Sequence, residues 1–307
     1  MHLLIPFAFC QSDACVAALP TLQLPHLQKL LARLTPAPFD AGDERSLSPP
    51  HERALARNLG LSTTDGLIPM AALAVDKTNP AGAWAFITPC HWKVSANHIA
   101  MSGQALPDFS AEESHSLLEA MRPYFAEDGI ALHYHQPERW LACGDLFNEL
   151  PTASLDRVVG RNVENWMPRA PAAAPLRRLQ NEMQMLLYNH PVNDARTARC
   201  VLPINSFWLS GTGALPNTTL KPLPTVANSL REAALNEDWG TWAQAWAALD
   251  ASECATLLKA LERGEPCELT LCGERHAQTF IELPQSFFKR FMNIFGTLPL
   301  TSVLKQL

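Results

Sequence analysis

The densest run of groups able to do chemistry is Asn189-His190-Pro191-Val192-Asn193-Asp194-Ala195-Arg196, followed by Leu202-Pro203-Ile204-Asn205-Ser206-Phe207-Trp208-Leu209-Ser210-Gly211-Thr212-Gly213. An imidazole, a guanidinium and carboxamides beside apolar elements suit capture of a small anion, with Arg196 supplying the charge. The order predicts a helix, a stop, a second helix capped by Asn193, and then a strand opening into a glycine-containing loop. Loops beyond the C-terminal ends of strands are where ligands bind in open α/β sheets. A structural reading stands beside this one: Pro191 ends the first helix, Asn193 caps the second, and Gly211 and Gly213 permit a tight turn. The ligand candidates here are His190, Asn193, Arg196 and Asn205.

His91-Trp92-Lys93 follows an apolar run, with Asn97-His98 a few residues on. Two histidines and a lysine on such a loop can meet an anion or a metal; alternatively Trp92 packs the loop and the histidines bond to backbone. His91 and Lys93 join the ligand candidates. His133 and His135 flank Tyr134 at period two, so on a strand both point to one face, though a third metal ligand at a recognisable spacing is missing. Cys10/Cys15 and Cys267/Cys272 each enclose four residues, at the edge of the zinc-hairpin spacing. The second pair brackets an apolar strand, which holds its members too far apart to share an ion. The chain has no Gly-x-Ser-x-Gly elbow, no P-loop and no Gly-x-Gly-x-x-Gly fingerprint, so serine-hydrolase, nucleotide and dinucleotide chemistry have no support.

Apolar periodicity names the elements that must position these groups. Helices are predicted on Leu27, Leu30, Leu31 and Leu34; after the capping box Ser110-Ala111-Glu112-Glu113, ending before Asp128-Gly129; and on Leu176, Leu179, Met183, Leu186 and Leu187. Further stripes are Trp239, Trp242, Trp246 and Leu249; Cys254, Leu257, Leu258 and Leu261, stopped at Gly264; and Phe287, Phe288, Phe291 and Phe295. Strands are predicted at Leu3–Phe7, Trp84–Thr88, Ile130–Tyr134, Ser206–Leu209, Glu268–Leu271 and Thr279–Leu283. Their alternation with helices predicts an α/β fold, a layered sheet with flanking helices. Thr35–Pro50 reads as a long loop. Pro168–Pro175 reads as an extended Pro/Ala spacer that divides an N-terminal α/β region (1–167) from a C-terminal one (176–307), or lies within one continuous globular unit.

With 47% hydrophobic and 18% charged residues, the 307-residue chain has the composition of a folded protein. A net charge of −6 argues against a nucleic-acid surface. The apolar start Met1–Ile5 lacks a basic flank and is cut by Pro6, so a buried strand is expected rather than a signal peptide or membrane span. The eight cysteines are scattered beside apolar residues, as buried free thiols are, and a cytoplasmic protein without a disulfide framework is expected.

The block Asn189-His190-Pro191-Val192-Asn193-x-x-Arg196 with Leu202-Pro203-x-Asn205-Ser206-x-Trp208-Leu209-x-Gly211-x-Gly213 resembles a segment of the archaeal-type cofactor-independent phosphoglycerate mutases. It resembles still more a proteobacterial group named both for that enzyme and as the type E regulatory protein of a pathogenicity-factor cluster. Thr88–Trp92 through His98, Phe109–Glu113 running to Gly129, Trp140, and Trp239–Gly264 with Leu269-Thr270-Leu271 are similar to the same group. The resemblance implies a reduced alkaline-phosphatase-like, phosphoglycerate-mutase-like scaffold; in the mutases it carries two metals and a serine that takes the phosphoryl group. Their first strand ends in an Asp-Gly metal site, where this chain reads Leu4-Ile5-Pro6-Phe7-Ala8. Their late Asp-His pair has Glu274-Arg275-His276 as its nearest counterpart, and Asp13 and Asp145 do not complete the set.

The expectation is therefore a non-catalytic regulatory or binding protein that takes a protein partner or a small anionic ligand and needs no cofactor. The alternative is a metal-dependent phosphotransferase whose divalent metal is held by ligands drawn from His91, His98, His133, His135, Asp145 and His276. A third reading is a protein–protein module presenting Trp239, Trp242, Trp246 and Phe291, which requires exposed rings.

Overall fold

The computed structural model describes residues 1–76, 81–95, 98–102, 106–282 and 299–307. In chain order these form β1 (His2–Ile5), α1 (Asp13–Ala18), α2 (Pro25–Arg33), β2 (Thr35–Pro36), α3 (Pro50–Leu59), α4 (Met70–Leu73), β3 (Ala83–Cys90), β4 (Trp92–Val94) and β5 (Ile99–Met101). The chain continues through α5 (Ala111–Glu127), β6 (Ala131–Gln136), β7 (Arg139–Cys143), α6 (Leu155–Val158), α7 (Ala174–Tyr188), α8 (Pro191–Ala198) and β8 (Ser206–Ala214). It closes with β9 (Thr225–Val226), α9 (Arg231–Leu235), α10 (Trp239–Leu249), α11 (Ala255–Glu262), β10 (Glu268–Cys272), β11 (Ala277–Ile281) and α12 (Leu300–Leu304). The expected class, layered α/β with flanking helices, is what the chain adopts. The predicted Phe287–Phe295 stripe, including the partner candidate Phe291, and Asn97 lie outside the described residues.

Two compact units result. The first holds Met1–Arg45, Pro49–Gly60 and Leu220–Leu307; the second holds Ser46–Ser48 and Leu61–Thr219. Residues 168–175 lie inside the second unit. Proline there starts helices instead of extending a spacer: Pro171–Ala173 makes a 3-10 turn, Ala173 is buried, and Pro175 sits in the first turn of α7.

In the first unit the sheet runs β2-β11-β10-β1-β9, with β1 parallel to both β10 and β9 and the remaining pairs antiparallel. Leu3, Leu4 and Ile5 form an unbroken apolar run because both faces of the sheet are covered. Leu3 and Ile5 pack with Leu269, Leu271, Trp242, Trp246 and Leu257; Leu4 packs with Cys272, Ala277 and Ala54 of α3. The buried Asp250 carboxylate supplies the cap of α2, accepting from His26 N at 3.2 Å and Leu27 N at 2.7 Å.

The second unit is built on an antiparallel sheet, β6-β7-β3-β8. Ala83, Ala85, Ile87, Trp140, Phe207 and Leu209 face α5 and α7, while Trp84, Phe86 and Leu141 face the other side with Ala71 and Ala72 of α4. Ser110 caps α5 as predicted, accepting from Glu113 N at 3.2 Å, and Gly129 takes φ 71° after its end. β7 was not legible as a strand. It pairs with β6 as a hairpin, and Trp140 is tied to α5 by donating to Ser114 Oγ at 2.9 Å.

Ser210–Gly213 is strand, not a loop at a strand's end. The register passes from Trp84↔Gly213 to Phe86↔Ser210, so Gly211 and Thr212 together oppose Ala85 as a β-bulge. Gly211 has φ 66°, and a Cβ there would lie 3.1 Å from Phe86 Cδ2 and 3.2 Å from Ala71 N. The bulge turns Thr212 inward, where its Oγ1 donates to Leu150 O at 2.7 Å. Gly211→Ala is therefore expected to destabilise the protein by about 1–3 kcal/mol through left-handed strain and crowding, read as a lower urea midpoint with an unchanged slope.

Candidate functional site

The Asn189–Gly213 segment does bring its predicted residues together, on the stretch 202–205. Asn193 donates to Leu187 O at 2.8 Å and Ile204 O at 2.7 Å, and accepts from Ile204 N at 2.8 Å. Asn205 accepts from Trp92 N at 2.7 Å and donates to Trp92 O at 2.9 Å. His91 Nδ1 lies 2.8 Å from Pro203 O. Arg196 is fully buried and donates to Leu202 O at 2.8 Å, Pro107 O at 3.1 Å and Glu113 Oε2 at 2.8 Å. Arg199 pairs with the other oxygen of Glu113. These polar groups are turned on backbone and on one another, and a carboxylate already holds Arg196. The cluster fixes the path of residues 202–205 and does not present an open anion site.

Asn193 is not the cap of α8. Pro191 fits the first helical position, where no donor is needed, so the cap falls on His190, whose Nδ1 accepts from Val192 N at 3.3 Å. Burial pushes the His190 pKa down, with Asp194 opposing. Lys93 is exposed on the β4–β5 hairpin.

The tryptophans of α10 are mainly core. Trp242 and Trp246 are fully buried, and Trp239 is half-buried. Their rings meet edge-to-face, with centroids 5.8 Å and 6.2 Å apart. A partner surface built on all three is thus corrected: facing rings inward contributes more than exposing them, since each buries a large apolar area.

The metal ligands of the alternative reading do not assemble. His98 bonds locally to Ser95, the exposed Asp145 opens a 3-10 turn, and His276 Nδ1 accepts from Gly42 N at 3.0 Å. At the end of β1, Phe7 turns the chain with φ 56° and Ala8 N donates to Cys272 O at 2.8 Å. Among the described residues, no three His, Cys, Asp or Glu side chains come together as a metal site.

A different place gathers charged and titratable groups around one cavity. A cavity of about 570 Å³ in the second unit is lined by Arg122, Leu132, His133, His135, Leu141 and Asp76, among others. β6 positions the two histidines at period two, as predicted. α5 supplies Arg122, which reaches the outer strand β6 and donates to Leu132 O at 2.6 Å, while its Nε and Nη2 bond Glu119 at 3.0 and 2.7 Å. His133 lies against Trp84, with ring centroids 5.3 Å apart. Burial, and then the Arg122 charge, push its pKa below the ordinary imidazole value. Arg122 and Asp76 gave no sequence signal: Arg122 sits mid-helix and Asp76 stands alone after an apolar run.

No family model and no curated protein matches this chain. Among solved structures it is similar to a cofactor-independent phosphoglycerate mutase from Thermoplasma acidophilum, at 14% identity and a TM-score of 0.39, over 100% of this chain and 99% of that one. It is also similar to a protein from Pyrococcus horikoshii, at 12% identity and a TM-score of 0.45, over 92% of this chain and 87% of that one. Among the described residues, no helix is long and apolar enough to cross a membrane.

Proposed function

We propose that this is a non-catalytic regulatory or binding protein whose ligand is a small anion, taken in the cavity beside β6. The observation that carries the reading is the convergence of Arg122, His133 and His135 on one cavity of about 570 Å³, a volume within the range of small-molecule sites. Among the described residues, Asp76 is the one carboxylate lining that wall. The Arg122–Glu119 pair is exposed on both sides, and such pairs are weak. A carboxylate or phosphate can therefore take the guanidinium fork from Glu119. The non-catalytic half rests on Phe7 and Ala8 standing where the resemblance implies a metal-binding Asp-Gly.

Titration of the full chain with inorganic phosphate or 3-phosphoglycerate, followed through histidine side-chain resonances, tests this. Saturable shifts of His133 and His135 are expected, with affinity at least about tenfold weaker in Arg122→Gln or His135→Gln, equal to ~1.4 kcal/mol. A response that never saturates, or one that neither substitution weakens, would overturn the ligand reading. Interconversion of 2- and 3-phosphoglycerate at an enzyme-like rate by metal-replete protein would overturn the non-catalytic half.

A further inference from the structure

Building on the anion site beside β6, on which this rests, we propose that its ligand is the C-terminal carboxylate of an extended peptide whose last residues add to β6 as a fifth strand. β6 ends the four-stranded sheet of the second unit, and among the described residues no strand lies beyond it. The ladder fixes which backbone groups face outward. Gly144 N donates to Ala83 O at 3.1 Å. By alternation the backbone groups of Ala142 and Trp140 then turn toward β3, and those of Cys143 and Leu141 toward β6. The partners of Cys143 and Leu141 on β6 are Ala131 and His133. Leu132 and Tyr134 therefore point their N–H and C=O groups away from the sheet. The bond from Arg122 Nη1 to Leu132 O, 2.6 Å long, lies on that outer side.

The cavity follows this edge. Its wall includes the consecutive residues Leu132, His133, Tyr134 and His135, and consecutive strand residues point to opposite faces. Tyr134 stacks on His115 of α5 with centroids 3.8 Å apart, whereas His133 lies on the other face against Trp84 at 5.3 Å. A ligand there meets strand backbone between two side-chain walls. Arg122 and Tyr134 stand on the α5 side, and Ala74, Val75 and Leu141 on the other. An added strand suits such a place, because its main chain pairs with the edge while its side chains alternate between the walls.

Charge selects a chain end over an internal segment. Arg122 occupies the Leu132 carbonyl and so blunts the edge against indiscriminate pairing. A carboxylate can draw off the guanidinium, since the Glu119 that holds it is exposed. Asp76 lines the same cavity and Glu119 bonds Arg122, which disfavours a doubly charged phosphate and suits a carboxylate of single charge. Placed beside Leu132, that carboxylate also accepts from the outward Leu132 N–H. With its end at Leu132 and the cavity continuing to His135, the peptide runs antiparallel to β6. The ladder shifts register between Tyr134 and Gln136, which confines pairing to Ala131–Tyr134 and keeps the docked segment short.

The test titrates the isotope-labelled full chain separately with N-acetylated tetrapeptides of randomised sequence, the same tetrapeptides as C-terminal amides, acetate, and inorganic phosphate. The free-acid peptides are expected to shift the Leu132 and Tyr134 amide resonances saturably and to slow the hydrogen exchange of both amides. Affinity should be at least about tenfold weaker for the amides, for acetate, and for the free-acid peptides on Arg122→Gln. Suppose phosphate saturates the histidine shifts while the free-acid peptides bind no more tightly than the amides or acetate. The peptide ligand is then overturned and the anion site stands. If neither phosphate nor any peptide saturates, both are overturned. Saturable binding of free-acid peptides that leaves the Leu132 and Tyr134 amides unshifted and unprotected would overturn strand addition.

Discussion

Arg196→Ala is expected to lower the unfolding free energy by about 3–5 kcal/mol, the range for breaking a buried ion pair from one side. The guanidinium is fully buried and uses Nε, Nη1 and Nη2 on three partners. Its removal leaves the carbonyls of Leu202 and Pro107 without that donor and strips Glu113 of its inner partner. Arg199 remains on Glu113 but is half exposed, so it recovers little of the loss. Arg196→Lys should recover only part, because an ammonium cannot span a fork that reaches a carboxylate and two carbonyls at once. Urea unfolding of the three proteins, read as midpoint and slope, checks this. A loss under about 1 kcal/mol for the alanine variant would mean that Asn193, Asn205 and His91 suffice to hold the 202–205 stretch.

Trp242→Ala is expected to cost about 3–5 kcal/mol, the range for emptying an aromatic site in a core. The ring is fully buried between Trp239 and Trp246, and its Nε1 donates to Phe7 O. Substitution by phenylalanine separates the two contributions. Trp242→Phe keeps most of the apolar area but leaves Phe7 O without its donor, a loss of about 1–3 kcal/mol beyond the volume change. Trp246 offers the contrast: it is equally buried, yet its Nε1 has no hydrogen-bond partner among the described residues. Trp246→Phe should therefore cost less than Trp242→Phe. Calorimetric or urea unfolding of the pair decides it, and the reverse order would show that ring volume outweighs the hydrogen bond.

Local signals were legible where neighbours in sequence are neighbours in space. Ser110 three residues before Glu113, the apolar stripes of α7 and α10, and the apolar run Leu3-Leu4-Ile5 each encode an element through short-range geometry. His133 and His135 share a cavity wall, as their two-residue spacing on a strand suggests, although the β6–β7 ladder shifts register between Tyr134 and Gln136. The motif Asn189–Gly213 was also legible as a cluster, and its residues do meet.

What that cluster does was settled only by partners far along the chain. Glu113, read in sequence as half of a capping box, is the carboxylate on Arg196. Asp250 caps α2 from a position 224 residues away from His26, and no local window contains both. Gly211 reads as a turn residue, yet the sheet register makes it the extra residue of a bulge opposite Ala85. Arg122 joins the histidines only because α5 lies along β6. Residue type and spacing thus determined the elements and the candidate groups by themselves. Tertiary structure decided which groups are spent on folding and which remain for a ligand, because a polar side chain's role depends on the partners that burial leaves it.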